Sequence, residues 1–254
     1  MSHHIVEATD VRYAYSDGTS ALNGVSFRIT HGEAVAIVGA NGAGKSTLLG
    51  HLVGWLSPSS GTIRIGDTIL TQQTLAIIRR TVGMVFQEPD DQLFMPTVFE
   101  DVAFGPVNMG LPHDQVHARV ASALATVGME HLAHRPPYHL SGGEKRAVAI
   151  ATVLAMSPDI LVMDEPSSGL DPRARRRLIA LLMSFEHTRI IATHDLDLAL
   201  ELCPRTIVLH KGQVAADGPT AKLLTDPAVL EPCGLEKPLS LQGCPVCAAT
   251  GRQS

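Results

Sequence analysis

The sequence predicts an α/β protein in which a mainly parallel sheet is covered by helices on both sides. Short continuous apolar runs, typical of strands buried on both faces, alternate with amphipathic helical segments. The 254-residue chain is 45% hydrophobic but only 4% aromatic. It can therefore bury a sizeable core, and that core must be built from aliphatic side chains.

The elements follow in order along the chain. Short strands separated by turns rich in Gly, Asp and Ser occupy residues 5–70. Within them, the apolar run at 34–38 predicts a buried strand, and a helix is expected directly after it. Further buried strands are predicted at 82–86, 159–165, 189–193 and 206–210, and helices at 113–128, 172–186 and 196–203.

The segment 97–140 differs from the rest of the chain because it has no strand-like run and favours helices between Gly and Pro breaks. We interpret it as a helical insert that divides the main domain, residues 1–215, into core segments 1–96 and 141–215. Residues 216–254 are Pro-rich and weakly patterned. They are expected to form a C-terminal extension that packs loosely and is partly mobile.

The composition argues against several classes of protein. The sequence has no N-terminal signal pattern and no apolar run long enough to cross a bilayer, so we expect a soluble chain. The net charge of −5 gives no support for a nucleic-acid partner. The four cysteines do not have the pattern of a disulfide framework.

A glycine-rich loop follows the first buried strand. Residues 39–47 fit the pattern G-x-x-x-x-G-K-[ST], in which backbone N–H groups surround phosphates at the start of a helix. Lys45 is expected to reach the β- and γ-phosphates of a nucleotide, and Ser46 to supply an oxygen to Mg²⁺. The predicted phosphate-binding residues are Gly39, Asn41, Gly42, Ala43, Gly44, Lys45, Ser46 and Thr47.

Two adjacent carboxylates end another apolar strand. A carboxylate is costly there unless it faces a cation, so a Mg²⁺ environment explains Asp164. Glu165 follows at the carboxyl edge of the sheet, with its side chain on the opposite face, and is the candidate general base for an attacking water. A solvent-exposed acidic pair is the alternative explanation.

A second helix start has the properties of an anion site. Ser141 is a good N-cap before the helical run at 144–156, and Gly142 and Gly143 leave backbone N–H groups accessible. Taken alone, these residues also fit an ordinary helix cap.

These motifs together resemble those of ABC ATPases over residues 5 to about 220. LSGGE is similar to the signature sequence of that family, and ILVMDEP to its Walker B strand. The resemblance implies a P-loop NTPase (RecA-like) core with an N-terminal antiparallel β subdomain and an inserted α-helical subdomain. Four further positions match family motifs in order: Tyr15 the aromatic on adenine, Gln87 the Q-loop, Asp171 the D-loop and His194 the switch histidine.

Each of these four positions also has a simpler explanation. Tyr15 has the pattern of a half-buried strand aromatic, and Tyr13 is the competing choice for the adenine contact. Asp171 is placed to cap the helix that follows it, and both roles can coexist. Gln87 and His194 fit ordinary polar positions at strand ends.

The resemblance implies that two copies meet head to tail and hold ATP between them. ATP would lie between the phosphate loop and Tyr15 of one subunit and Ser141, Gly142, Gly143 and Asp171 of the other. Its γ-phosphate would then hold the dimer closed until hydrolysis. The implied Mg²⁺ ligands are Ser46, Gln87 and Asp164, and the implied catalytic residues are Glu165, His194, Gln87 and Lys45.

Residues 83–108 more narrowly resemble the Q-loop region of energy-coupling-factor ATPases, above all those serving cobalt and nickel uptake. FQEPDDQLF, TVFEDVAFGP and PSSGLDP carry this resemblance, although Ser167 stands where many relatives have Thr. It implies a peripheral location on the cytoplasmic face of the inner membrane, with integral-membrane scaffold and substrate-binding subunits as partners. The expected docking residues are Leu93, Phe94, Met95 and Phe99 beside Asp90, Asp91, Glu100 and Asp101, each of which also fits ordinary insert core.

Four questions stay open at this stage, and the first is whether the partner ATPase is an identical chain or a paralogue. The cargo could be cobalt, nickel or a vitamin. The sequence of the ATPase does not distinguish them, because this subunit does not touch the cargo. A soluble ABC ATPase acting on DNA or ribosomes and a metal-sensing regulator are the alternatives from other classes. Possible chelating pairs, which a solvated helix face or a mobile tail also explains, are Cys244 with Cys247, His113 with His117, and His131 with His134.

Overall fold

The structure, a computed structural model, describes residues 6–242. The strands are β1 (Val6–Ala14), β2 (Ser20–Ile29), β3 (Ala34–Val38), β4 (Ser60–Ile65), β5 (Thr68–Ile69), β6 (Val82–Val85), β7 (Ile160–Asp164), β8 (Thr188–Thr193), β9 (Arg205–His210) and β10 (Gln213–Pro219). The helices are α1 (Lys45–Leu52), α2 (Leu75–Thr81), α3 (Val98–Asn108), α4 (His113–Val127), α5 (Gly142–Leu154), α6 (Pro172–Ser184), α7 (Leu196–Leu202), α8 (Thr220–Leu223) and α9 (Pro227–Leu230).

The main sheet has the order β10-β9-β3-β8-β7-β6, and only β10 runs antiparallel to its neighbour. Every residue of β3 and of β7 is buried, as their continuous apolar sequences predict. The carboxyl ends of β3, β8 and β7 lie side by side because these strands are parallel neighbours. The loops that leave these three strands therefore meet at one edge of the sheet.

A second, antiparallel sheet with the order β2-β1-β4-β5 covers one side of the main sheet. Helix α1 lies between the two sheets, and its residues Leu48, Leu49 and Leu52 are 0% exposed. These leucines share one hydrophobic cluster with residues of both sheets. The N-terminal strands therefore fix the helix that carries the phosphate loop.

Helices α3, α4 and α5 form a separate layer with its own hydrophobic cluster. Helix α5 belongs to two cores at once. Val148, Ala149 and Ala151 pack in the helical layer, while Ile150 and Val153 pack against the main sheet. The predicted α/β fold with an antiparallel β subdomain and a helical insert is confirmed.

The expectation of a loosely packed extension from residue 216 was wrong for the described part of the tail. β10 continues to Pro219, and Leu224, Leu230 and Cys233 are 0%, 1% and 4% exposed within the main-sheet core. Short helical turns, such as α9 with its Asp226 cap, place these apolar residues. Such short turns are too brief for a hydrophobic period to reveal them.

Candidate functional site

The loop between β3 and α1 has a backbone that only glycine fits at key positions. Gly44, just before α1, has φ of +103°, and a Cβ there would lie 2.6 Å from the carbonyl oxygen of Ala21. A Cβ at Gly39 would overlap the carbonyl oxygen of Leu209. The loop thus reaches α1 in a conformation that leaves the first N–H groups of the helix free for an anion.

The Lys45 side chain lies inside this loop and is 7% exposed. Its Nζ donates to the carbonyl oxygens of Gly39 at 2.8 Å and Ala40 at 3.4 Å. The same Nζ is 3.8 Å from Oε1 of Glu165. The ammonium group therefore connects the phosphate loop with the acidic end of β7.

Asp164 is buried at the end of β7, with 5% exposed. Burial raises the pKa of its carboxyl, and the nearby Glu165 charge adds to this, whereas a hydrogen bond with Ser46 and the charge of Lys45 act in the opposite direction. Its Oδ1 has no hydrogen-bond partner among the described residues. A buried, unpaired carboxylate oxygen next to a serine hydroxyl is the donor set that a hard divalent cation needs, so these residues fit Mg²⁺.

Glu165 leaves the strand with φ of +45° and is 6% exposed. Its carboxylate accepts from Oγ1 of Thr193 at 2.9 Å and from the backbone N–H of His194 at 3.0 Å. The Nδ1 atom of His194 lies 2.8 Å from Oε1. The alternative of a solvent-exposed acidic pair was wrong, because both carboxylates are buried.

Tyr15 lies just after β1, and its hydroxyl is 2.8 Å from Oγ1 of Thr47 on α1. Its ring is 42% exposed and packs edge-to-face on Tyr13 with centroids 5.2 Å apart. The Tyr13 ring packs instead against the buried His51, at 4.7 Å, and the core. Of the two tyrosines, Tyr15 is the one with a free ring face beside the phosphate loop.

The predicted helix start at Ser141 forms a complete capping box. Glu144 N donates to Oγ of Ser141 at 3.4 Å, and Glu144 Oε2 accepts from the Ser141 backbone N–H at 2.8 Å. The Ser141 backbone N–H and hydroxyl both donate to the Glu144 carboxylate, and these two bonds lower the pKa of Glu144. Asp171 caps α6 by accepting from the N–H groups of Arg173 and Ala174 at 2.8 and 3.0 Å, so the capping explanation of Asp171 is confirmed.

The predicted site residues fall into two groups. Ser141, Gly143 and Asp171 line one cleft of about 620 Å³ between α5 and α6. The second group consists of Lys45, Ser46, Asp164, Glu165 and His194 at the sheet edge. Between residues 6 and 242, no hydrogen bond or ion pair joins the two groups, so they lie apart within one copy of the chain.

Gln87 does not reach either group. It is exposed in the turn after β6, and within the described chain its side chain makes no hydrogen bond. Its backbone carbonyl oxygen instead accepts from Nη2 of Arg146 at 2.6 Å, and that of Phe86 accepts from Nη1 at 2.8 Å. Gln92 forms a second link between this turn and α5. Its amide oxygen accepts from the Phe86 N–H at 3.1 Å, and its amide nitrogen donates to the Ala149 carbonyl at 2.7 Å.

Sequence reasoning missed Arg146, although a signal was available. Arg146 is 4% exposed, and burial lowers the pKa of its guanidinium. It lies three and four residues before Ala149 and Ile150, on a buried face of α5. A charged residue at that spacing indicates a buried hydrogen-bond partner.

The predicted docking residues only partly form a surface. Met95, Phe99 and Phe104 line a groove of about 440 Å³ between α3 and α4, and Phe94 is 63% exposed. Leu93, in contrast, is buried in the helical layer at 7% exposed. Asp101 is buried as well, and its Oδ1 accepts from the N–H groups of Phe94 and Met95, both at 3.0 Å. Asp101 therefore holds the groove in shape rather than forming its charged rim.

The possible chelating pairs receive no support as complete metal sites. Nε2 of His113 and Nε2 of His117 are 3.2 Å apart on exposed side chains, and His131 and His134 are exposed. Over residues 6–242, no cluster of three or more His, Cys, Asp or Glu side chains could hold a metal. The pair Cys244 and Cys247 lies outside the described residues. Across the same range, none of the helices has both the length and the apolar character needed to span a bilayer.

Residues 22–168 match the sequence profile of the family described as ABC transporter. The chain belongs to this family. A Geobacter sulfurreducens protein, provisionally named ABC transporter ATP-binding protein GSU1281, is 66% identical over 247 residues, covering 97% of this chain and 99% of that protein. The energy-coupling factor transporter ATP-binding protein EcfA of Methanothermobacter thermautotrophicus is 46% identical over 239 residues, covering 92% and 77%.

Solved ABC cassettes have the same fold. Clostridium perfringens cbiO1, described as part of the ABC transporter complex cbiONQ, superposes with a TM-score of 0.80 at 41% identity, covering 91% of this chain and 94% of that one. The MJ0796 cassette, in a dimeric post-hydrolysis state with ADP and Pi, gives 0.76 at 30% identity, covering 85% and 98%. This chain is an ATPase of the ABC family, whose cassettes dimerise.

Proposed function

We propose that this ABC ATPase powers an energy-coupling-factor importer as a homodimer that holds each ATP between its two subunits. The observation that carries the proposal is the unpaired, buried Oδ1 of Asp164. It lies at the end of β7, in hydrogen-bond contact with Ser46 and near the phosphate loop. A cluster in which Asp164 offers an oxygen to a cation, Lys45 offers a positive charge and Glu165 has an oriented carboxylate is suited to phosphoryl transfer to water.

In this proposal the phosphate-loop half binds the nucleotide. The backbone from Gly39 to Thr47 would surround the phosphates, and Tyr15 would stack on the base. Ser46 and Asp164 would hold Mg²⁺, joined by Gln87 when its exposed turn moves inward. The ion would neutralise charge on the phosphates.

Glu165 is proposed as the general base that accepts a proton from the attacking water. The Thr193 hydroxyl, the His194 backbone N–H and the His194 ring all contact its carboxylate, which favours one fixed orientation. Lys45 would leave the loop carbonyls for the γ-phosphate, because a phosphate is a stronger partner for an ammonium group. His194 and Gln87 would stabilise charge on the departing phosphate.

Ser141, Gly142, Gly143 and Asp171 are proposed to complete the site from the other subunit. Within one chain Ser141, Gly143 and Asp171 line their own cleft, which does not include Lys45. The start of α5 has free N–H groups and a positive dipole end, so it would attract the γ-phosphate bound by the partner copy. Loss of that shared charge on hydrolysis would open the dimer.

The groove between α3 and α4 is proposed to dock cytoplasmic helices of an integral-membrane scaffold. Phe94 and Phe104 are both exposed and pack edge-to-face with centroids 5.0 Å apart, and exposed aromatic pairs of this kind are typical of docking surfaces. The EcfA and cbiO1 relatives support this class of assembly. It would keep the protein peripheral on the cytoplasmic face of the inner membrane, beside a substrate-binding subunit.

The proposed cargo is cobalt or nickel, on the strength of the resemblance of residues 83–108 to the metal-uptake ATPases. The complex purified through this chain, with its co-purifying membrane subunits, can be reconstituted in liposomes. ATP-driven accumulation of Co²⁺ or Ni²⁺ would support the metal cargo. Accumulation of a vitamin in place of either metal would refute it while leaving the importer role intact.

The ATPase half of the proposal has a direct test in the purified chain. Glu165→Gln is expected to bind ATP and to stay as a closed dimer with turnover at least about 100-fold below wild type. Glu130→Gln, an exposed position in the helical layer, is the matched control and should keep wild-type turnover. Near-wild-type hydrolysis by Glu165→Gln would end the general-base assignment.

A further inference from the structure

The side chain of Thr193 is completely buried at the end of β8, at 0% exposed. Its Oγ1 lies 2.9 Å from Oε2 of Glu165 and 3.0 Å from the backbone N of Asp195. The amide of Asp195 can only donate, so the hydroxyl oxygen accepts that bond. The single hydroxyl hydrogen is therefore given to Glu165.

Asp195, which donates to the Thr193 hydroxyl, is itself held in place by hydrogen bonds to its carboxylate. The carboxylate Oδ1 of Asp195 accepts from the N–H of Leu198 at 2.9 Å, which caps α7. Its Oδ2 accepts from Ser167 Oγ at 3.2 Å and Arg175 Nε at 3.3 Å. Because Asp195 is held on both sides, its N–H fixes the direction of the Thr193 hydroxyl.

The other side-chain contacts of Glu165, from His194 Nδ1 at 2.8 Å and Lys45 Nζ at 3.8 Å, are less permanent, since Lys45 also turns to the γ-phosphate in the proposed function. The imidazole of His194 is 63% exposed, and in the proposed function it must leave Glu165 to contact the γ-phosphate. Glu165 also has a backbone φ of +45°, a conformation that persists in a non-glycine residue only when its surroundings enforce it. Thr193 supplies the side-chain bond that remains when the histidine moves.

We propose that Thr193 is a positioning residue that orients the Glu165 carboxylate for proton transfer from water. The inference rests on the proposed function of Glu165 as general base. A carboxylate that loses this bond can rotate about its side-chain torsions while still charged. Misplacement of a catalytic group by about 1 Å can cost roughly 100-fold in rate.

The test compares Thr193→Val, Thr193→Ser and wild type in steady-state ATP hydrolysis. Valine keeps the shape but removes the hydroxyl, so kcat is expected to fall about 10- to 100-fold while the KM for ATP stays within about twofold. Serine keeps the hydroxyl and should recover kcat to within about threefold. A valine variant with wild-type kcat, or a serine variant as slow as valine, would overturn the positioning role.

Thr188→Val is the matched control, because Thr188 is also 0% exposed and lies at the opposite end of β8. Its Oγ1 accepts from Gly32 N at 2.9 Å, so the control loses a comparable bond remote from Glu165. It should lower the melting temperature, by less than Thr193→Val because it loses one hydrogen bond where Thr193→Val loses two, and leave kcat unchanged. Equal losses of kcat in the two variants would reduce Thr193 to a stabilising residue.

Glu165→Gln, measured in parallel, distinguishes a failure of the general-base assignment of Glu165 from a failure of the positioning role of Thr193. If this variant hydrolyses ATP normally, the general-base assignment fails and the role of Thr193 fails with it. If Glu165→Gln is inactive while Thr193→Val and Thr188→Val have the same kcat, the positioning role of Thr193 alone is wrong. Should Thr193→Val not fold, Thr193→Ala is measured under the same criteria, since alanine removes the hydroxyl without adding bulk.

Discussion

Replacing Arg146 by methionine tests the brace between α5 and the turn that carries Gln87. The guanidinium is buried and donates to the carbonyl oxygens of Phe86 and Gln87 at 2.8 and 2.6 Å. Methionine has a similar length and cannot donate. The two carbonyl groups therefore lose their partners while the packing of α5 is largely kept.

The expected loss of stability follows from those two bonds. Hydrogen bonds from charged donors contribute about 1.5–3 kcal/mol each. The lowered pKa of Arg146 reflects the cost of burying its charge, and removal of that cost offsets about half of the gross loss. A net loss of about 1.5–3 kcal/mol remains. For a chain of this size it lowers the melting temperature by about 3–12 °C.

The assay is thermal unfolding of Arg146→Met beside Lys145→Met, the adjacent residue on α5. Lys145 pairs with Asp90 at 2.6 Å, but the Asp90 side chain is 72% exposed, so that pair contributes less than about 1 kcal/mol. Steady-state hydrolysis should also slow in Arg146→Met, since Gln87 loses its backbone anchor. Equal melting temperatures of Arg146→Met and Lys145→Met would refute the stabilising role of the two hydrogen bonds from Arg146.

Three further predictions use other parts of the site and the fold. Tyr15→Ala should weaken ATP binding about 5- to 50-fold through lost stacking, measured by calorimetry, whereas the exposed Tyr138→Ala should not. Asp164→Asn should raise the melting temperature in EDTA, because a buried charge is removed, and should abolish the extra stabilisation by Mg²⁺ with ATP; undiminished stabilisation would contradict the metal assignment. Burial raises the pKa of Glu33, but hydrogen bonds from Thr30 and the charge of Arg205 lower it on balance. Wild type should therefore exceed Glu33→Gln in stability by about 1 kcal/mol at pH 7. The difference should vanish as pH falls from 4.5, the ordinary pKa of a glutamate, through the lowered pKa of Glu33. A difference that persists at low pH would contradict this.

The strands of the main sheet could be predicted because their sequences are continuous apolar runs. β3 and β7 are buried on both faces, and a run such as AVAIV has no polar residue that would suit an exposed face. The phosphate loop could be predicted for a related reason. Its spacing reflects a backbone requirement, and Gly39 and Gly44 meet neighbouring carbonyl oxygens that exclude any Cβ.

The interactions that hold the site together could not be predicted in the same way. Thr193 contacts a residue 28 positions away, and Arg146 contacts carbonyl groups 59 and 60 positions away. Such pairs exist only once the sheet order and the helix packing are set. The packed tail was missed for a different reason. Leu224 directly follows α8 and Leu230 is the last residue of α9, and each of these helices has only four residues. Such short helices show no hydrophobic period that a sequence pattern could reveal.

The choice between Tyr13 and Tyr15 also required the structure. Tyr13 lies near the end of β1 and Tyr15 directly after the strand, so the two are only two residues apart in the sequence. The choice depends on His51, which occupies the face of Tyr13 and leaves Tyr15 exposed beside Thr47.

The most direct test of the central idea is a crystal structure of the Glu165→Gln protein grown with ATP and Mg²⁺. We predict a two-fold dimer in which each γ-phosphate lies within hydrogen-bond distance of Lys45 Nζ from one subunit and of Ser141 in the other. A structure with ATP bound at the loop, but with Ser141 of both copies facing solvent, would contradict the shared site.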